Sequence, residues 1–257
     1  MESDPVLRFS SRVSDYVRYR PSYPPEIPAF LARECGLQPE STVADIGSGT
    51  GLLAGLFLDF GCRVIGVEPN FEMRQAGERL LANFPRFRSI NARAENTGLP
   101  VASVDFITAG QSFHWFDAEP TRHEFLRIAK PPGWVVLVWN EREVEGPFLE
   151  KYEALLQEYS PDYAKVDHRR VGDEALDAFF GKGRWALANF ANTQVFDLEG
   201  LLGRLRSSSY APSPGEPRYD VLIREVTALF HDRSEGGKVV IRYRAKVFYG
   251  TIAAERK

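Results

Sequence analysis

The nine residues VADIGSGTG, at positions 43–51, decide the fold of this 257-residue chain. They begin as an apolar strand, pass an acidic residue and turn through three glycines into the helix-like run LLAGLFL at 52–58. A strand, a glycine turn and a helix in this order predict a nucleotide-binding corner, in which the first helical N–H groups face the ligand. Glycine lacks a β-carbon, so the backbone at such a turn can also approach a ligand closely. The alternative is a glycine-rich turn that binds nothing.

The spacing of the glycines in this turn limits the class of ligand that it can bind. The dinucleotide fingerprint is G-x-G-x-x-G, and here the third glycine comes one residue early; no G-K-S/T follows, so the Walker pattern also fails. Asp45, two residues before the first glycine, would repel a pyrophosphate but can accept hydrogen bonds from an ammonium group or a hydroxyl. The sequence therefore favours a ligand with an amine and a ribose over one with a diphosphate.

Acidic residues also follow the next two predicted strands. Glu68 ends the apolar run at 62–67, about 20 residues beyond the turn, where a carboxylate can accept from both ribose hydroxyls. We expect Asp45 and Glu68 to end adjacent parallel strands and to face one crevice; for Glu68 alone the alternative is a solvated strand end. Glu95 follows the third strand, at 87–91, and either accepts from an exocyclic amine or is simply exposed.

An aromatic run, QSFHWF at 111–116, follows the fourth strand at 106–109. In an open α/β sheet the carboxyl ends of the strands border the binding crevice. His114 thus stands where a substrate would meet a cofactor, or it is a core histidine; Trp115 and Phe116 can equally be core residues. A Pro-Pro-Gly turn at 131–133 then leads into a fifth, strongly apolar strand at 134–140.

The segment at 9–28 predicts an N-terminal arm. Residues 9–20 can form an amphipathic helix, with Tyr16 and Arg20 on one face, and the prolines at 21, 24 and 25 break it. One interpretation is a lid, in which Tyr16, Arg20 and Tyr23 hold a carboxylate of a cofactor or substrate. The other is an arm that only packs against the domain.

The remaining helices and strands are predicted from hydrophobic periodicity, and the signals are weaker in the second half of the chain. Helices are predicted at 26–36, 71–84, 120–130, 148–159, 198–209 and 219–230, and strands at 185–196 and 238–252. The polar stretch at 161–184 is interpreted as an insertion or cover.

The composition and net charge of the chain limit the kinds of partner that it can bind. Hydrophobic residues make up 44% and charged residues 26% of the chain, and a net charge of −3 argues against nucleic acid as a partner. No apolar run can span a membrane, and residues 1–4 are acidic, unlike a secretory signal. Cys35 and Cys62 show no metal or redox spacing, which predicts reduced core thiols in a cytoplasmic protein without a metal. The sequence predicts no oligomeric state.

These motifs together resemble class I S-adenosylmethionine-dependent methyltransferases, in the methyltransferase type 11 or trans-aconitate methyltransferase-like branch. Positions 43–51 look like the family's first motif, 67–74 its second, 93–105 its third region and 111–116 an aromatic motif of that branch. Residues 9–24 resemble its arm and 205–210 its later Ser-rich segment. The likeness is strong over 9–140 and thinner afterwards, and Pro132 replaces a glycine common in the turn before the fifth strand.

The resemblance implies an α/β fold: a Rossmann-like seven-stranded mixed sheet with helices on both faces, the last strand antiparallel, plus an N-terminal arm and a helical cover. It implies a single domain over residues 1–257. Within it, 1–30 form the arm, 31–140 the cofactor-binding core, 141–235 the substrate-side cover and 236–257 the final strand.

The resemblance also assigns roles. S-adenosyl-L-methionine would be the cofactor and a small molecule, with a carboxylate as one candidate, the methyl acceptor. Cofactor contacts fall on Tyr16, Arg20, Asp45, Gly47, Ser48, Gly49, Gly51, Glu68, Pro69, Met73, Ala94, Glu95 and Gln111. Substrate contacts fall on Tyr23, His114, Trp115 and Tyr210, with His114 as the candidate catalytic base. The alternatives are a cofactor-binding regulatory or interaction protein without turnover, an RNA methyltransferase and a nicotinamide oxidoreductase.

Overall fold

The computed structural model describes residues 12–160, 163 and 172–252. The first eleven residues of the predicted arm, most of 161–171 and the last five residues lie outside the described part of the chain. The sequence-based assignments there, including the first turn of the arm helix and much of the polar cover, are therefore not compared with structure.

The described residues form a seven-stranded sheet in the order β3-β2-β1-β4-β5-β7-β6. β7 runs antiparallel to both of its neighbours, and the other neighbouring strands are parallel. The strands are β1 Thr42–Ile46, β2 Arg63–Val67, β3 Phe87–Ile90, β4 Val104–Gly110, β5 Ala129–Arg142, β6 Trp185–Phe196 and β7 Val239–Thr251. The predicted mixed sheet with an antiparallel last strand is confirmed.

Nine α-helices lie in the described part of the chain. They are α1 Val13–Tyr19, α2 Ile27–Cys35, α3 Leu52–Asp59, α4 Phe71–Leu80, α5 Ala118–Ile128, α6 Pro147–Tyr159, α7 Asp173–Phe180, α8 Leu198–Arg206 and α9 Tyr219–Arg233. Local signals fix several ends: Gly36 closes α2 at a φ of 73°, and the side chain of Asp197 caps α8 by accepting from the Gly200 amide.

Two regions depart from the predicted elements. α7 lies inside the stretch interpreted as polar cover, and its phenylalanines 179 and 180 are buried in the core. The expected turn at 131–133 lies inside β5, because the chain already pairs with β4 at Ala129 and the Gly133 carbonyl accepts from the Ile252 amide. The predicted turn is nevertheless present, as a bulge within β5: Gly133 has a left-handed φ of 80°, and the register between β4 and β5 shifts between Val104 and Phe106.

Helices cover both faces of the sheet, and alternate residues of β1 reach opposite layers. Val43 joins a buried cluster with Leu31 and Phe57 from α2 and α3. Ala44 joins the other, with Phe125 from α5 and the buried face of α7. A third cluster packs α6, α8 and α9 against the start of β7, beyond the carboxyl ends of the parallel strands. This third cluster is the helical cover.

Two other expectations concern the thiols and the membrane. Cys35 and Cys62 are buried free cysteines, and burial raises the pKa of the two thiols to about 12 and about 11. No helix in the described ranges combines the length and apolar character needed to cross a bilayer.

Candidate functional site

The glycine turn connects β1 to α3 through left-handed backbone. Gly47, Gly49 and Gly51 have φ of 66°, 55° and 84°, a region that other residues rarely adopt. Gly47 also needs space, since a β-carbon there would lie 2.6 Å from the β-carbon of Ser112. The glycines therefore serve the turn itself and its close packing against the loop after β4.

Glu68, directly after β2, holds this turn in place. Its two carboxylate oxygens accept from the backbone amides of Gly49 and Asn70, each at 2.8 Å. Glu68 is buried, and burial raises the pKa of its carboxyl, while the two amides and Arg74 oppose that shift. Glu68 thus has a structural duty, which the sequence-based ribose role did not include.

Asp45 is almost fully buried, with 1% of its surface exposed. The Thr108 hydroxyl donates to Oδ1 at 2.9 Å, and Oδ2 has no hydrogen-bond partner within the described residues. Burial raises the pKa of Asp45 to about 7; Thr108 and the Ala54 amide act against this and Glu68 adds to it. A buried carboxylate oxygen without a donor is costly, and a ligand ammonium or a proton would relieve it.

Gln111 follows β4 in a left-handed conformation, with a φ of 56°. Its amide donates to the Val138 carbonyl at 2.9 Å, and its side-chain amide donates to the Asn140 carbonyl at 3.2 Å. A non-glycine residue in this region is held there by its surroundings, and such outliers concentrate at binding sites. This geometry suits the predicted role, in which the backbone of Gln111 faces the ligand.

A cleft with about 820 Å³ of empty space opens at the carboxyl ends of the parallel strands. Its walls contain many of the predicted residues: Tyr16, Gly47, Gly49, Glu68, Pro69, Met73, Ala94, Glu95, Gln111 and Trp115. Other predicted residues do not line this cleft: Arg20, Tyr23, Asp45, Ser48, Gly51, His114 and Tyr210.

The predicted residues outside the cleft walls have identifiable surroundings. Ser48 packs against Gly66 of β2, where a β-carbon would lie 2.8 Å from its hydroxyl oxygen. Gly51 is the N-terminal cap of α3. Tyr23 is buried, and its hydroxyl oxygen would lie 2.6 Å from a β-carbon placed on Gly110. These residues support the walls of the cleft from behind.

Five wall residues were not assigned a role from the sequence: Asn70, Arg93, Gly110, Ser112 and Phe116. Asn70 caps α4, its side chain accepting from the Met73 amide at 2.9 Å. The Ser112 hydroxyl donates to the Ile46 carbonyl at 2.8 Å and so ties the β4 loop to β1. Asparagine is a preferred residue at helix N-termini, so its position before α4 could have indicated Asn70 from the sequence. No comparable local pattern indicates Ser112.

The far end of the cleft lies beside the loop after β3. Ala94 is buried there, and Glu95 lines the wall while its Oε1 accepts from the Asp117 amide at 3.0 Å. Glu95 is thus partly buried at the cleft wall and already holds the start of α5, and its contact with an exocyclic amine stays a prediction.

The arm closes the other end. Tyr16 lines the cleft, and the Arg20 guanidinium lies over its ring, 4.9 Å from the centroid. Arg20 also donates to the Ser207 carbonyl at 2.9 Å, just beyond α8. The arm therefore packs against the cover and borders the cleft, which combines the two sequence-based interpretations.

The aromatic run divides between wall and support. Trp115 lines the cleft, whereas His114, in a 3₁₀ turn, is half-buried with its ring 4.7 Å from that of Trp115. Tyr210 belongs to the cover, where its ring meets Tyr163 edge-on at 4.8 Å. His114 thus has a place beside the site, and its catalytic role stays a prediction.

Known proteins resemble this chain over the same elements. Residues 44–137 match a family described as a methyltransferase domain. An uncharacterised methyltransferase of Schizosaccharomyces pombe is 33% identical over 204 residues, 78% of each protein. An uncharacterised methyltransferase of Mycobacterium tuberculosis is 36% identical over 140 residues, 54% of this chain and 55% of that protein. The solved structure of a methyltransferase from Anaeromyxobacter dehalogenans covers 92% of this chain and all of that one, with a TM-score of 0.69 and 21% identity.

The chain therefore belongs to the methyltransferases that use S-adenosylmethionine as cofactor. Two carboxylates, Glu68 and Glu95, and one guanidinium, Arg93, line the cleft. The site fits that molecule, which carries a sulfonium and an ammonium charge, because carboxylates are in excess in the walls and the buried Asp45, whose Oδ2 lacks a donor among the described residues, lies just before the glycine turn. The class I resemblance is confirmed, and the narrower trans-aconitate branch stays a prediction.

Proposed function

We propose that this methyltransferase acts on a small molecule and that a carboxylate is the group that best suits its acceptor side. The observation that carries the proposal is that the arm is fastened to the cover beside the cleft and itself borders the cleft. Tyr16 forms its wall, and α1 is fastened to α8 and the residues after it by the Arg20–Ser207 hydrogen bond and by Arg206, whose Nε lies 3.2 Å from Asp15. A cleft bordered by an arm and a helical cover favours an acceptor small enough to fit between them, and a net charge of −3 gives no support to nucleic acid.

In this proposal residues 31–140 bind the cofactor, and the arm at 1–30 with the cover at 141–235 selects the acceptor. Asp45 and the glycine turn hold the methionine part, Glu68 the ribose, and Ala94 and Glu95 the adenine. The backbone of Gln111 faces the amino acid end, and Tyr16 with Arg20 closes the site. These roles draw support from the cleft walls and from the orphan oxygen of Asp45.

The bound cofactor supplies a methyl carbon whose bond to sulfur breaks, with the electron pair staying on sulfur. The protein contributes position, exclusion of water and orientation. A carboxylate acceptor is ionised at neutral pH and becomes a neutral ester, so no general base is needed. A hydroxyl or amine acceptor must also lose a proton, and His114, beside Trp115, is the candidate to receive it.

Calorimetry tests the cofactor half of the proposal. Glu68→Gln removes a charge that borders the cleft, and Glu119→Gln removes an exposed charge on α5 as a matched control. We expect wild type and the control to bind S-adenosylmethionine alike, and Glu68→Gln to bind at least about tenfold more weakly. Equal binding by all three proteins would contradict the assignment.

A labelled methyl group tests the acceptor half. The protein is incubated with S-adenosylmethionine carrying a labelled methyl and with a cell extract separated by size into small molecules and macromolecules. The proposal predicts label in the small-molecule fraction. Label confined to protein or RNA, or no transfer by a protein that binds the cofactor, would overturn it.

A further inference from the structure

Three arginines come together behind Tyr16, on the acceptor side of the arm. Arg20 ends the arm helix, Arg142 ends β5, and Arg204 lies in α8. Arg204 is 7% exposed, the Arg142 side chain is 10% exposed, and Nε of Arg20 is buried. All three guanidinium groups act to lower the pKa of the Tyr210 phenol, so they lie near it. The Tyr210 ring packs edge-on against Tyr163, whose hydroxyl accepts from Arg142 at 2.9 Å.

The cluster contains more positive than negative charge. Glu153 pairs with Arg142, but no ion pair within the described residues includes Arg20 or Arg204. Arg204 instead donates to the Tyr243 hydroxyl at 3.2 Å and the Ser208 hydroxyl at 2.8 Å, both neutral groups. Among the described residues of the cluster, three guanidinium groups face one carboxylate, so the cluster has two more positive than negative charges.

This excess is unfavourable without a further anion. Taking a charge out of water costs several kcal/mol unless a partner of opposite sign compensates it. The pKa of Arg20 is lowered, first by burial and then by the positive charge of Arg204, so the two guanidinium groups oppose each other. In addition, the Nε–H groups of Arg20 and Arg142 are buried without acceptors in the described structure. The described residues thus leave donors and positive charge in this cluster unsatisfied.

The cluster is continuous with the cofactor cleft. Arg20 lies over one face of the Tyr16 ring, and Tyr16 itself lines the cleft. Arg12 fastens the arm over the loop after α8 by donating to the Ala211 carbonyl at 2.8 Å and to the Ser208 carbonyl. A molecule bound at the arginines would therefore be covered by the arm and would lie next to the cofactor site.

We propose that Arg20, Arg204 and Tyr210, backed by Arg142, form a subsite for an oxyanion of the methyl acceptor, a carboxylate or a phosphate. This inference rests on the proposed function and deepens it by naming an anchoring group. Arginine matches both oxyanions with paired N–H donors. A group held by two guanidinium ions is a weak nucleophile because its lone pairs are engaged. The acceptor therefore carries this anchor in addition to the atom that receives the methyl.

The test measures anion binding by wild type, Arg204→Met and Arg18→Met. Arg18 is a matched control, because it lies on the arm helix in an exposed pair with Glu199. Inorganic phosphate and succinate are the probes, titrated by calorimetry and by melting temperature at constant ionic strength. We expect at least one probe to bind wild type and Arg18→Met alike, and Arg204→Met to bind it at least about tenfold more weakly. The probe that binds identifies which oxyanion the subsite takes.

Binding of S-adenosylmethionine, measured in the same proteins, separates this inference from the proposed function. Arg204 does not line the cleft, so Arg204→Met is expected to keep its cofactor affinity within about threefold. If Arg204→Met does not fold, Arg204→Lys takes its place in the experiment. Lysine keeps the positive charge but lacks the paired N–H donors, so we expect an anion affinity between those of wild type and Arg204→Met. The inference is overturned if neither probe binds wild type, or if Arg204 and Arg18 variants bind a probe equally.

Discussion

The cofactor cleft and the cover beside it have opposite electrostatic characters. Glu68 and Glu95 line the cleft together with Arg93, and Asp45 is buried just before the glycine turn, whereas Arg20 and Arg204 lie beside the cover with no carboxylate partner among the described residues. Tyr16 stands between them, with one contact to each side. The difference teaches that one fold can prepare a site for a cationic cofactor and, next to it, a site for an anionic acceptor. Acidic residues serve the first and arginines with phenols the second.

The largest effect, a loss of both stability and cofactor binding, is expected where the acidic cleft depends on close packing. Gly47→Ala places a β-carbon in left-handed backbone and 2.6 Å from Ser112, so we expect a loss of about 3 kcal/mol in the free energy of unfolding and loss of cofactor binding. Gly98→Ala is the matched control, with a φ of 69° but nothing within 4 Å. It should lose only about 1 kcal/mol, measured by urea unfolding. Equal losses would show that the packing against Ser112 does not matter.

A second effect concerns the ionisation of Asp45. Its pKa in the folded protein, about 7, lies above the ordinary value of 3.8, so its stabilising contribution is present at low pH and lost as pH rises through 7. Without cofactor, Asp45→Asn should gain stability relative to wild type as pH rises from 4 to 7.5, by about 4 kcal/mol for a pKa raised by about three units, because the wild-type loss occurs between the unfolded and the folded pKa. Unfolding in urea at both pH values measures this. The exposed Asp59→Asn should show no such pH dependence, and a constant Asp45→Asn effect would contradict the argument.

A third, smaller effect tests whether Gln111 acts through its backbone. Gln111→Gly keeps the left-handed conformation at no steric cost, so cofactor affinity should stay within about threefold of wild type. Gln111→Val is β-branched and should be less stable than the glycine variant by about 1 kcal/mol. Calorimetry and unfolding measure the two quantities. A large loss of cofactor affinity in Gln111→Gly, in the absence of a loss of stability, would show that the side chain of Gln111 and not its backbone contacts the cofactor.

The smallest effect is a pH dependence on the basic side. Burial raises the pKa of Tyr210, but Arg142 and Arg204 outweigh it, together with a Ser208 hydrogen bond and Arg20, so the pKa falls to about 8. Above that pH the phenolate offsets one positive charge and competes with the bound anion. Anion affinity in wild type should drop about threefold between pH 7 and pH 9, and this drop should be absent in Tyr210→Phe. Identical pH profiles of anion affinity in the two proteins would show that Tyr210 is not part of the subsite. The neighbouring phenols, Tyr152 and Tyr163, are present in both proteins and serve as the internal control.

The sequence predicted the acidic side well because its signals are local. A strand, three glycines and Asp45 lie within nine residues, and Glu68 and Gln111 each follow an apolar strand directly. Since the carboxyl ends of parallel strands meet at one edge of the sheet, these short patterns are enough to bring them together. Seven strands were predicted from the same kind of local pattern, whereas the antiparallel direction of the last strand was implied by the family resemblance.

The basic side could be predicted only in part: Arg20 and Tyr210 were candidate ligand contacts, but the cluster of arginines was not predicted. Arg20, Arg142 and Arg204 lie on three elements far apart in the chain, and only the packing of α1 and α8 beyond the end of β5 unites them. No spacing marks Arg142 or Arg204. The helix α7 was missed for a related reason, because it is only eight residues long and its burial depends on aromatic partners such as Phe113 and Phe125.

The most direct test of the two-sided site is a crystal structure with S-adenosylhomocysteine and the oxyanion that binds in solution. The account predicts the ribose against Glu68, the amino acid end near Gln111 and the glycine turn, and the anion in hydrogen-bond contact with Arg20 and Arg204. An anion inside the acidic cleft, or no anion at Arg204 under saturating conditions, would contradict it.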